Sequence, residues 1–235
     1  MYKKTVMKTG LTVVTCSMPW RRSVSLGIWI KSGGRYETRA NKGISHVLEH
    51  MLFKGSSKYS CRQIKESVEG AGGSLNGFTS EEATCYLVKV PAAKMRMGLD
   101  ILSDMVLRPS LPRADFAREK TVILEELKMY KDLPQSYVHE LLDQLLWPGH
   151  PLGMGIIGFE DSLAALTREE LRSYLRGHYV PAGIVVSAAG SLEHSGFCRM
   201  CGAAFASAGN NGKERAAYLP AEDAVDAGPR VKLLR

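Results

Sequence analysis

No run of eighteen or more apolar residues occurs in the 235-residue chain, so the sequence holds no candidate for a helix that crosses a membrane. The opening stretch, MYKKTVMKTGLTVV, turns polar and alternating before the apolar centre of a signal peptide could form. Both absences lead to the expectation of a cytoplasmic protein with no membrane partner. Cysteine is sparse and odd in number: Cys16, Cys61, Cys85, Cys198 and Cys201 are scattered, which argues against a disulfide framework and suits reduced thiols. Cys198 and Cys201 form a C-x-x-C, but without a second pair a chance spacing explains it better than a metal or redox site.

Basic blocks are also missing. The excess of 31 Lys and Arg over 24 Asp and Glu gives a net charge of +7, yet the cations stand singly or in pairs such as Arg21 and Arg22. Without a Lys/Arg-rich patch interleaved with aromatics, the charge reads as a solvated surface and nucleic acid is not an expected partner. Nor does anything in the sequence favour strongly cationic peptides as substrates. What is present is the composition of a folded globular protein, 45% hydrophobic and 23% charged.

The chain is organised around residues 41–53, NKGISHVLEHMLF, read as an amphipathic helix with Asn41 or Ser45 as its cap and Gly55 as its stop. Helical positions four apart lie one above the other with Cβ atoms about 6 Å apart, so His46 and His50 can close on one ion at roughly 2.0 Å each. Glu49 shares that face, where a carboxylate can act as general base towards a water molecule. With only six histidines in the chain, a chance His-x-x-Glu-His has a probability on the order of 1%.

A third ligand is expected on the helix that Arg113 begins, RADFAREKTVILEELKMYKD. Glu126 lies two turns beyond Glu119, about 20° off one stripe that includes Val122, Ile123 and Tyr130, whereas Glu125 falls on the wetter face. Glu126 is therefore the chosen ligand and Glu119 its partner, whether by orienting a ligand or by assisting catalysis directly.

The order His-x-x-Glu-His mirrors the thermolysin-type His-Glu-x-x-His and resembles the inverted zinc-peptidase signature. The surrounding stretch GISHVLEHMLFKGSSKYS is similar to that of the pitrilysin-like (M16) metallopeptidases, as are the 76 residues from His50 to Glu126 and the second glutamate seven residues earlier. The resemblance implies a zinc-dependent endopeptidase with one zinc ion on His46, His50 and Glu126, and Glu49 and Glu119 as the catalytic carboxylates. It also implies that Asn76, Gly77 and Phe78, on a glycine-rich strand with few large apolar groups that reads as a candidate sheet edge, hold an extended peptide substrate. Family members commonly carry Asn-Ala-x-Thr there; this chain has Asn76-Gly77-Phe78-Thr79. Relatives without activity serve as assembly subunits or respiratory-complex core proteins, but those tend to have lost the motif residues that are intact here. A purely structural zinc protein would need a fourth protein ligand, and no cysteine lies near the motif.

The expected fold is α+β: a curved, mainly antiparallel sheet of five or six strands with helices packed largely on one face. Strands are expected as a hairpin over 3–15, at 24–31, as two strands over 72–90, and at 184–189. Helices are expected over 61–69 with Ser60 as cap, from Pro91 to about 107, over 113–132, over 135–147 with Tyr137, Val138, Leu141, Leu142, Leu145 and Leu146 inward, after Thr167, and from 194 towards 208. Residues 1–207 form the expected catalytic domain, 208–229 a linker, and 230–235 the first strand of a second, similar domain, which the resemblance supplies as a covalent or separate partner.

Overall fold

The computed structural model describes residues 2–208, 217, 218 and 220. Apart from residues 208, 217, 218 and 220, the expected linker and the expected strand at 230–235 therefore lie outside the described residues.

The expected architecture is present. Strands β1 (Tyr2–Val6), β2 (Thr12–Ser17), β3 (Ser23–Ile30), β4 (Ser74–Thr79), β5 (Thr84–Pro91) and β6 (Ile184–Gly190) form a six-stranded sheet in the order β1-β2-β6-β3-β5-β4. All pairs are antiparallel except β2 with β6. Alternation sets which face is covered: on β3, Val24, Leu26, Ile28 and Ile30 are buried while Ser25 stays exposed. The helices are α1 (Ile44–Leu52), α2 (Cys61–Glu69), α3 (Met95–Leu107), α4 (Arg113–Lys131), α5 (Pro134–Leu146), α6 (Glu160–Ala165), α7 (Arg168–His178) and α8 (His194–Ala204). Leu48, Met51 and Leu52 of α1, Leu102 and Met105 of α3 and Ile123 of α4 join the buried strand residues in one core.

Local capping explains several boundaries. Ser60 and Thr167 each accept the backbone N–H three residues on, and Gln63 and Glu170 return the bond, giving reciprocal capping boxes for α2 and α7. Other expectations need correction. α1 starts at Ile44 behind Gly43 with φ +93°, and neither Asn41 nor Ser45 caps it; Asn41 instead closes the preceding turn by accepting from Thr38. Pro91 ends β5, and α3 begins only at Met95. The short α6 escapes the apolar pattern because six residues give barely more than one turn to read. On α5 no residue is fully buried, and Val138, Leu142 and Leu146 are exposed rather than inward. Val122 of α4 is likewise half exposed.

Gly43 matters because a side chain there has nowhere to go. A Cβ would sit 2.3 Å from the Ile157 carbonyl oxygen, on a backbone already in the left-handed region. Gly149, at φ +76°, is comparable in backbone but has open space around it. Gly149→Ala is expected to cost about 1–2 kcal/mol of backbone strain. Gly43→Ala should cost a further 1–3 kcal/mol or so for overpacking. Denaturant midpoints of the two variants check the ordering.

Candidate metal centre

The site is built from α1 outward. Ile44, Val47, Leu48, Met51 and Leu52 anchor the helix in the core, which leaves His46, Glu49 and His50 towards a cleft of about 530 Å³. The orientation of α1 is set at its first turn by a residue outside it. The Glu37 carboxylate accepts the N–H groups of Gly43 (3.0 Å) and Ser45 (2.8 Å), filling the acceptor role that free helix N-termini require. Lys42 lies 3.5 Å from Glu37, and both side chains have no exposure. The ammonium also donates to the carbonyls of Gly34 (2.8 Å) and Pro151 (3.2 Å). Burial pulls the Lys42 pKa down, and the Glu37 charge works against that shift.

α4 runs past α1 and brings Glu126 opposite the two histidines. Its carboxylate oxygens lie 3.8 Å from His46 Nε2 and 3.6 Å from His50 Nε2. One donor atom from each of His46, His50 and Glu126 falls within 4.8 Å of the other two. Bond lengths of 2.0–2.2 Å around a tetrahedral zinc put ligand atoms about 3.4 Å apart, so two of these separations need only a few tenths of an ångström. Two imidazole nitrogens and one carboxylate oxygen are a donor set that suits this ion.

Burial, and then the neighbouring His50, push His46 down to about 4, keeping its imidazole neutral and able to ligate. Its Nδ1 is buried without a hydrogen-bond partner; a proton held there leaves the Nε2 lone pair facing the cleft. His50 is held from behind, with Nδ1 3.0 Å from Glu119 Oε2, and Lys54 Nζ contacts the other Glu119 oxygen at 2.7 Å. Burial tends to raise the Glu119 pKa, but bonds from Lys54 and His50 outweigh it and hold the group below the usual carboxylate range. Glu49 is raised by burial, against a 2.9 Å hydrogen bond donated by Thr79 Oγ1. Glu125 points elsewhere, to Lys128 at 2.7 Å.

β4 is one edge of the sheet, and among the described residues it pairs only with β5. Gly77 and Phe78 line the cleft with Thr79, whereas the Asn76 side chain folds back to accept the Gly77 N–H at 2.8 Å and is not part of the cleft wall. A Cβ at Gly77 would meet the Phe53 ring at 3.0 Å, so an alanine there would require the ring to shift slightly. The fold gathers Glu49, Glu81, Glu126, Glu140 and Asp143 along the cleft, with no Lys or Arg in its lining, although the chain is net basic.

Sequence reasoning missed Glu37, Lys42, Lys54 and the Thr79 bond to Glu49. Lys54 was open to detection, standing four residues after His50 in the turn that follows α1. The Glu37–Lys42 pair was not, because a charged pair in a turn-rich stretch reads as solvated until its burial is known.

Known proteins place these features in context. The profile of insulinase, peptidase family M16, matches residues 12–159. An uncharacterized zinc protease of Bacillus subtilis is 42% identical over 195 residues, 83% of this chain and 48% of that protein. The protein named probable mitochondrial-processing peptidase subunit beta in Arabidopsis thaliana is 34% identical over 190 residues, 81% of this chain and 36% of that one. Two solved structures share the fold: a protease from Helicobacter pylori (TM-score 0.87, 23% identity, 92% of this chain and 53% of that one) and a peptidase M16 inactive domain from Pseudomonas fluorescens (0.85, 18%, 95% and 54%). The chain spans about half the length of the first curated relatives it matches.

Removing one member of the Glu37–Lys42 pair strands a buried charge. Lys42→Met is expected to cost about 3–5 kcal/mol, and the double variant Glu37→Gln/Lys42→Met less than the sum of the two single changes. Urea unfolding of the three variants reads this coupling directly.

Proposed function

The chain belongs to peptidase family M16, and from that premise we propose that His46, His50 and Glu126 hold one zinc ion in a site that hydrolyses peptide bonds, with Glu49 as general base. The observation that carries the reading is the convergence of the three donor atoms within 4.8 Å, with Glu49 on the same cleft and outside the donor set. Bound zinc supplies acidity to a water molecule and polarises a carbonyl oxygen. The protein supplies the rest. Glu49 takes the water proton while Thr79 holds its second oxygen, and the same carboxyl group returns a proton to the departing amine. Glu119 touches His50 and Lys54 and does not line the cleft, so its part is to orient the His50 ring. The free edge of β4 offers backbone N–H and C=O groups to an extended peptide, at Gly77 and Phe78 rather than through the Asn76 side chain.

A second, similar domain or subunit completes this proposal, as the half-length match to the relatives suggests. α5 carries support for it: His139, Glu140 and Asp143 line the cleft, while Val138, Leu142 and Leu146 on the same helix stay exposed. A partner covering that apolar face would also close the cleft. The division proposed is a catalytic unit over 1–207, a linker over 208–229 and the partner's first strand from 230. Among the described residues no helix is long and apolar enough to cross a membrane. The competing role, an assembly subunit without activity, has support in the inactive Pseudomonas domain of like fold. The complete donor set and Glu49 favour the enzyme.

Metal analysis with peptide turnover, measured on the chain with and without its partner half, tests the proposal. About one zinc per chain is expected, with turnover lost on chelation and restored by zinc. Glu49→Gln should keep the metal and lose roughly 10²–10⁴ in rate; undiminished turnover in that variant would remove Glu49 as base. Glu126→Gln should weaken zinc binding while Glu125→Gln leaves it unchanged, and the reverse pattern would move the third ligand.

A further inference from the structure

Beyond α8 the chain returns to the body of the protein at Tyr218, a half-buried residue that the proposed catalysis does not use. Its ring lies against the stretch between β3 and α1. The Arg35 guanidinium stands 3.8 Å from the ring centroid and Lys31 Nζ 5.7 Å, while the Tyr36 ring meets it edge-on at 5.3 Å. Cations over an aromatic face, with a second ring at right angles, form a seat specific for an aromatic side chain. Only 14% of the Arg35 side chain is exposed, which puts the contact at the stronger, desolvated end of the cation–π range. Arg35 in turn holds the connection between β4 and β5. Its guanidinium pairs with the Glu82 carboxylate, and its backbone N–H donates to the Glu81 carbonyl at 2.7 Å. Beside it the Gly34 N–H donates to the Ser80 carbonyl at 3.1 Å. The approach is so close that a Cβ on Gly33 would stand 2.1 Å from the Ser80 oxygen. This connection carries Glu81 in the cleft lining and follows directly on Thr79, whose hydroxyl holds Glu49 at 2.9 Å.

We propose that Tyr218 is a positioning residue: by capping Arg35 it clamps the β4–β5 connection, so that the segment leading away from the catalytic unit also fixes the rim on which an extended peptide lies. Its bearing on peptide binding rests on the peptidase reading; the clamp itself does not. The ring covers a guanidinium face that water would otherwise occupy, and shielding from water strengthens the bond between Arg35 and Glu82. A second series of contacts leads to the other wall of the cleft. Tyr36 also meets the His178 ring edge-on at 6.2 Å, His178 stacks on Tyr174 at 3.7 Å, and the Tyr174 hydroxyl lies 3.0 Å from Ser45 Oγ in the first turn of α1. One side chain thus braces both the edge strand and the base of the helix that carries His46 and His50. About half of the proposed linker over 208–229 precedes this fixed point, which shortens the reach left to a second half and raises its effective concentration at the cleft.

Amide hydrogen exchange on the full chain reads the clamp directly. Tyr218→Ala should speed exchange of the Gly34 and Arg35 amides, which donate to the β4–β5 connection, by about tenfold, the loss of one desolvated cation–π contact. The Val186 amide of the central strand β6 should keep its rate, which separates a loosened rim from a loss of global stability. Tyr218→Phe, with the ring but not the hydroxyl, should restore the wild-type rate. In an Arg35→Gln background Tyr218→Ala should add nothing further at Gly34, because the guanidinium is already gone. Zinc affinity, read by competition with a chelator, should be the same in wild type and Tyr218→Ala, while KM for an extended peptide rises with kcat kept. Equal exchange in wild type and Tyr218→Ala overturns the clamp, and so does protection that disappears on dilution, since the ring would then come from a second copy. Unchanged KM beside faster exchange overturns its bearing on peptide binding. A wild type that neither binds zinc nor cleaves peptide overturns the peptidase reading and leaves the exchange result standing.

Discussion

A single carboxylate held out of water, Glu37, governs where α1 and its two histidines point. An isolated buried ion costs several kcal/mol, and this one is offset by the Lys42 ammonium and by two backbone N–H groups that the start of α1 would otherwise leave unpaired. The arrangement reaches further than one helix. Lys42 ties down the carbonyls of Gly34 and Pro151, Ser162 of α6 donates to the Lys42 carbonyl at 2.8 Å, and Tyr174 of α7 meets both Ser32 and Ser45. Four separate stretches of chain thus converge on the base of α1, and the histidines project from its far side already aimed. Close backbone contact completes the joint, since Gly43 and Gly158 both adopt positive φ and each leaves no room for a Cβ at the other's segment.

Charge in the site is graded by its surroundings. Glu119, answered by Lys54 and His50, is held below the usual carboxylate range; Glu49, with one hydroxyl donor, is raised by burial; His46 is kept neutral by its own burial. Three groups around one cleft therefore take three different protonation tendencies from position alone, the separation that the proposed roles of ligand, orienting group and base require. The distinction between Glu125 and Glu126 is equally physical: adjacent in sequence, they differ by about 100° around α4, enough to send one to Lys128 and the other to the histidines.

Where the determining interactions are local, the sequence was readable. Ser60 and Thr167 marked α2 and α7 because a capping box closes within four residues, and the helical phase of α4 separates Glu126, which faces the two histidines, from Glu125. Where they are long-range, it was not. The start of α1 was misread because its cap comes from Glu37, which has no helical or alternating relation to it. The apolar stripe of α5 announced an amphipathic helix truthfully, but periodicity says nothing about what covers a stripe, and Val138, Leu142 and Leu146 remain open. The acidic cleft was invisible for a related reason: Glu81, Glu126, Glu140 and Asp143 are spread along the chain among a majority of cations and meet only in three dimensions.

The position of β6 has a consequence for how such a chain comes into being. Residues 184–190 fill the gap between β2 and β3, with Val185 opposite Thr12 on one side and Trp29 on the other. Until that segment leaves the ribosome, the N-terminal hairpin has no sheet to join, and both β2 and β3 carry an unpaired flank. His46, His50 and Glu126 are thus synthesised before the middle of their own sheet exists, so nascent chains pass through an interval with two adhesive strand edges that a chaperone or rapid closure must protect.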